Sequence, residues 1–158
     1  MNKINTKTIA RIAAVQALYQ YQSNHQEQSA EELIASIASY YKDNEINDDL
    51  EITSESRTKV KLNISHFTNI VTFAIKDQES IDQIIESHLS EGWKWENLHT
   101  TLIALLRASI CELRYFPEIP YKVIINEFTN IASDMLKDNE VAFVNSLLDK
   151  VSKEFERA

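Results

Sequence analysis

"YFPEIPYKVIINE", residues 115–127, holds both prolines of a 158-residue chain whose only glycine is Gly92. A proline pushes the residue before it out of the α region, so a helix arriving at Phe116 stops there. Pro120 suits the first position of a new helix, where its missing N–H would have had no partner. The stretch therefore predicts a short corner, "PEIP", joining two helices that pack against each other. Hairpins need tight turns, and tight turns usually need Gly, Asn-Gly or Pro. With so few of these and abundant Leu, Ile, Ala, Glu and Lys, the composition predicts an all-α fold.

Apolar periodicity outward from the corner predicts about seven helices. The first covers 7–23, with Ile12, Val15, Leu18 and Tyr19 on one side. The second covers 30–41, opened by Ser29 and Glu32 at capping-box spacing. Residues 42–56, "KDNEINDDLEITSES", carry six acids and no base after Lys42, and predict a long loop. A third helix spans 57–76 on Val60, Ile64, Phe67, Val71 and Ile75. A fourth spans 79–90, with Gly92 placed to cap its end. The fifth runs 96–115. The sixth, 120–136, is expected to bury Val123, Ile124, Phe128, Ile131 and Met135. A seventh, capped by Asp138 or Asn139, runs to about 155.

Composition narrows the class. At 44% hydrophobic the chain can bury a core. Cys111 is alone and lies in an apolar helical pattern, which predicts a buried, inert thiol and a reducing, cytoplasmic setting. The N-terminus lacks the apolar core and cleavage site of a secretory signal, and no apolar run approaches the roughly 20 residues that span a bilayer. Net charge is −8, which opposes nucleic acid at long range, yet residues 1–26 contain Lys3, Lys7 and Arg11 and no acid.

No catalytic or cofactor motif is present. The histidines, at 25, 66, 88 and 99, show no two-ligand helical spacing, and a lone cysteine makes no zinc set. One glycine cannot build a phosphate loop. The reading is of a protein with no enzymatic activity, no cofactor and no metal. Polar residues on apolar helices remain. Arg107 in "ALLRASICEL" needs a carboxylate or water, with Glu127 the first candidate partner. Asn126, Glu127 and Asn145 interrupt the last two helices and predict amide bonds between helices.

Four stretches in order, "AVQALYQ" (14–20), "LLRASICEL" (105–113), "IPYKVIINE" (119–127) and "FVNSLLDK" (143–150), resemble the signature of the NusB transcription antitermination family. The likeness is nearly continuous over 97–152. It implies one NusB-like domain of two helical subdomains, 1–91 and 92–158, and no catalysis. It implies pairing with ribosomal protein S10 (NusE), binding of boxA-type RNA, and assembly with RNA polymerase and other Nus factors for read-through in ribosomal RNA synthesis. The RNA-binding residues it suggests are Lys3, Lys7 and Arg11 at the basic start, Tyr19 of the QALY motif and Phe143 of the FVN motif.

The chain also departs from the family pattern. Ala142 and Ser133 stand where the family carries lysines, and Ser146 replaces a glycine. Each lost cation removes a phosphate contact. Two other classes therefore stay open: a helical protein-binding adaptor with little RNA affinity, and a stand-alone relative of the RNA-binding domain of ribosomal RNA cytosine methyltransferases.

Overall fold

A computed structural model of the protein describes residues 6–25, 27–51 and 61–155. Among them are seven α-helices and no strand: α1 (Thr6–Ser23), α2 (Ala30–Glu51), α3 (Ile64–Lys76), α4 (Gln78–Ser87), α5 (Thr100–Tyr115), α6 (Tyr121–Met135) and α7 (Asp138–Glu154), with one 3-10 turn at Trp95–Asn97. No helix among the described residues is long and apolar enough to cross a membrane.

α5 is the axis of the molecule. Every residue from Ala104 to Leu113 is buried, and α1, α3, α4, α6 and α7 all pack on it. A helix covered on all sides needs apolar residues on all sides, and "ALLRASICEL" supplies them except at its charges. α1 lies along α5 and α3 through Ala10, Ala13, Ala14 and Ala17, all fully buried. Their small side chains let the backbones come close.

The corner is where the prolines place it. Phe116 caps α5, the Ile119 N–H bonds Phe116 O at 3.1 Å, and Ile119 itself packs into the core. Pro120 sits one position earlier than expected, as the N-cap of α6, its carbonyl accepting from Val123 and Ile124.

Several expectations are corrected. The acidic stretch is not a loop throughout: α2 continues to Glu51, and 52–56 fall outside the described residues. Nothing between Ala30 and Glu51 is Gly or Pro, so no residue forces the helix to stop. α3 begins at Ile64, where the Asn63 side chain accepts from the His66 N–H; Lys61 and Leu62 precede the helix, and Val60 lies outside the described residues. Val123 and Met135 are exposed, because α6 is covered on one side only and its buried stripe is Ile124, Phe128, Ile131 and Ala132. His88, not Gly92, caps α4; Gly92 takes φ +93° in the turn beyond, a conformation that favours glycine. α5 starts at Thr100, where the His99 ring accepts from the Leu102 N–H. α7 starts after Lys137, whose N–H donates to Glu140 Oε1 at 2.9 Å, so that Glu140 closes the first turn.

Cys111 is fully buried, its S–H directed at Ile70 O at 3.4 Å, and burial pushes the thiol pKa well up. We expect the native protein to resist a thiol reagent at neutral pH and to react fully once unfolded in urea. Rapid labelling of the folded chain would contradict this packing.

Candidate nucleic-acid interface

The basic start of the chain is anchored by α1. Its first turn contains no acid, and the positive end of the helix dipole adds to Lys7, which is half-buried there. Lys3 lies outside the described residues. Arg11, one turn on, points inward and is only 2% exposed. Its Nε donates to Glu112 Oε1 at 2.9 Å and its Nη2 to Glu112 Oε2 at 2.6 Å, a bidentate pair. Its Nη1 donates to Glu127 Oε1 at 3.2 Å. The same Glu127 oxygen accepts from Thr8 Oγ1 at 2.6 Å.

Glu112 has no exposed side-chain surface. His66 Nε2 lies 3.3 Å from its Oε2, though out of line for a well-directed hydrogen bond. Burial pushes the Glu112 carboxyl up; the contacts with His66 and Arg11 outweigh burial and hold it below the ordinary carboxylate range. Arg11 is thus committed to carboxylates of α5 and α6 and presents no charge to a phosphate.

Tyr19, three turns along α1, is 43% exposed. It lines a groove of about 560 Å³ between α1 and α2, together with Val15, Gln16, Ile37, Tyr40 and Met135. This face has aromatic and amide edges and no charged side chain in its lining. Phe143 is elsewhere. It is buried on α7 and stacked on Trp93, ring centroids 4.1 Å apart and planes 15° apart, so Trp93 occupies one of its faces.

The expected structural residues divide. Arg107 is buried and held by a carboxylate, but that carboxylate is Asp82, not Glu127. Nε and Nη2 each donate to Asp82 at 2.8 Å, and Nη1 donates to Gln22 Oε1 at 3.1 Å. Arg107 lies on the side of α5 that α4 covers, whereas Glu127 faces α1. Asn126 and Asn145 are both exposed, and line one shallow groove between α6 and α7. They do not bury amide bonds between helices. Glu112, Asp82 and Trp93 do not stand out in the sequence as site residues. Glu112 alone gave a signal, as a second charge within the apolar run that contains Arg107.

The described residues form an all-α frame with an aromatic and amide groove along the second half of α1. The chain belongs to the NusB family, whose model matches residues 8–153. It is 45% identical over 156 residues to a transcription antitermination protein NusB of Rickettsia bellii (strain OSU 85-389), covering 99% of this chain and 96% of that one. A counterpart from Rickettsia rickettsii (strain Sheila Smith) is 44% identical over 158 residues, covering 99% and 97%. Among solved structures, "T. maritima NusB, P3121, Form 2" superposes with a TM-score of 0.71 at 24% identity, covering 97% of this chain and 94% of that one. A chain in "Crystal Structure of a Plectonemic RNA Supercoil" has the same fold, with a TM-score of 0.71 at 19% identity.

Two stability tests follow from the paired charges. Arg107→Ala leaves Asp82 without its cation. We expect it to cost about 3 kcal/mol, the low end for a broken buried pair because Asp82 keeps some contact with water. The urea midpoint measures this, and a loss below about 0.5 kcal/mol would place the pair among ordinary surface ion pairs.

The second test is acid. Glu140 resembles Glu112: burial raises its carboxyl, and the Lys137 N–H and the His99 ring together hold it low. A depressed carboxylate gives stability that is complete above the ordinary value of about 4.3 and is lost as pH falls through the folded value. We therefore expect the urea midpoint to fall between roughly pH 5 and pH 3, and Glu140→Gln to flatten that fall. A profile identical to wild type would remove Glu140 from the account.

Proposed function

We propose that this antitermination factor works by binding boxA-type RNA together with ribosomal protein S10 (NusE), within an RNA polymerase complex that includes other Nus factors and reads through terminators in ribosomal RNA synthesis. It acts in the cytoplasm, without catalysis and without a cofactor. The observation that carries the reading is the acid-free segment 1–26 of a chain with net charge −8, packed so that Lys7 stands at the helix end and Tyr19 stays exposed. Single-stranded RNA is held by cations along its phosphates and by aromatic faces under its bases. Lys3, Lys7 and Tyr19 form the contact set; Arg11 anchors α1 beneath it through Glu112 and Glu127, and Phe143, stacked on Trp93, lies apart from it. The 1–91 subdomain carries the RNA face, and 92–158 supplies its anchor.

One observation favours the adaptor reading. Ala142 and Ser133, at family lysine positions, are both exposed, so a cation there would have reached solvent, and none is present. RNA affinity then depends strongly on the ribosomal partner. Titration of a labelled boxA-type RNA, with and without that partner, against wild type and Lys3→Ala/Lys7→Ala distinguishes the two. Each phosphate contact on a single strand contributes about 0.7 to the salt slope, so the double variant is expected to lose up to about 1.4. Binding weakens across RNA sequences, because phosphate contacts carry little sequence information. Equal affinities and equal slopes would overturn the N-terminal site and leave the adaptor.

A further inference from the structure

We infer that Glu127 is a positioning residue for RNA: through Thr8 and Arg11 it fixes the first turn of α1, on which Lys7 stands. This rests on the RNA-binding reading above. The geometry is specific. Thr8 and Arg11 are three residues apart and share one helix face, and one carboxylate oxygen of Glu127 accepts from both, at 2.6 and 3.2 Å. Arg11 already has two of its donor groups on Glu112. What Glu127 adds is its hold on Thr8, the residue after Lys7.

That hold matters because of where it acts. The first turn of a helix lacks intrahelical partners for its N–H groups and is the first part to open. A cation on a fraying turn must be ordered when it binds, and that ordering reduces affinity. Glu127 removes the cost beforehand by tying the turn to α6, which the proline corner fixes against α5. Its side chain is 25% exposed, an anion beside the proposed phosphate site. By charge alone it would oppose RNA. The two roles therefore predict opposite signs.

The test is RNA titration with the ribosomal partner present, using a labelled boxA-type oligonucleotide. The variants are Glu127→Ala, Glu127→Gln and Thr8→Val. If Glu127 positions the turn, Glu127→Ala and Thr8→Val each weaken binding several-fold, roughly up to tenfold, and lower the salt slope. Combining them adds little, since both cut the same link. Glu127→Gln keeps an acceptor oxygen and recovers most of the loss. Amide exchange of residues 10–12, whose N–H groups bond the carbonyls of the first turn, rises in the two weak variants while that of 104–113 does not, which a general loss of stability would not produce. If Glu127 acts only by charge, Ala and Gln variants both tighten binding, and the inference falls. It falls also if the loss in Glu127→Ala matches its unfolded fraction. Wild type without measurable RNA affinity overturns the RNA reading itself, and this inference with it; tight wild-type binding unchanged in all three variants overturns the inference alone.

Discussion

The arrangement depends on one buried ion pair. Arg11 and Glu112 are 101 residues apart in sequence and are almost wholly removed from water. Two ions in such a place cost several kcal/mol each to desolvate, and only near-ideal geometry returns it. Here the fork of the guanidinium meets both carboxylate oxygens. The pair fixes register more than it adds stability. The alanines of α1 would tolerate many offsets against α5. A shift of one turn, about 5.4 Å, would leave Arg11 buried opposite apolar side chains with no acceptor. α1 has a single place on α5, and so has everything α1 carries.

The same device recurs around α5. Its three paired charges are met from two sides: Glu112 by α1, and Arg107 and Arg114, two turns apart on one face, by Asp82 of α4 and by Asp77 between α3 and α4, the last at 2.7 Å. An apolar helix with no polar marks could rotate about its axis at little cost, since hydrophobic burial has no direction. Three matched charges remove that freedom. α7 is held in a related way at both ends. His99, which caps α5, contacts Glu140 at 2.7 Å, and His88, which caps α4, contacts Glu154 at 2.5 Å.

Helices were legible wherever apolar spacing and chain breakers agreed. The proline corner, α6 and α7 sit where 115–155 predict them, because Pro117 and Pro120 act through local geometry alone. The end of α2 was not legible: its last residues have neither apolar period nor breaker, and such a stretch reads equally as loop or as solvated helix. The site divides along the same line. That Arg107 needs a carboxylate follows from its apolar neighbours; that the carboxylate is Asp82 depends on which side of α5 faces α4. Arg11 read as a surface cation because its neighbours in sequence are ordinary for an amphipathic helix. Its burial is decided by Glu112, a hundred residues away, which no local pattern reports. Tyr19 stands out by family likeness alone, and it is exposed.

Pairing also bears on how an acidic protein presents a basic face. Arg11, Arg107 and Arg114 are neutralised within the fold, so the cations left to act on a partner are fewer than the 16 in the chain. What survives is local. At physiological ionic strength fields decay over about 8 Å, so a phosphate at the start of α1 responds to the charges near it more than to a total of −8 spread over the molecule. At low salt the distant acids act as well, and oppose the same phosphate. In the proposed site a turn held at the helix end gains most under these conditions, because few cations are available to meet a phosphate. Glu127, which accepts from Thr8 and Arg11 there, costs some of the local positive potential, its charge shared between those donors and solvent.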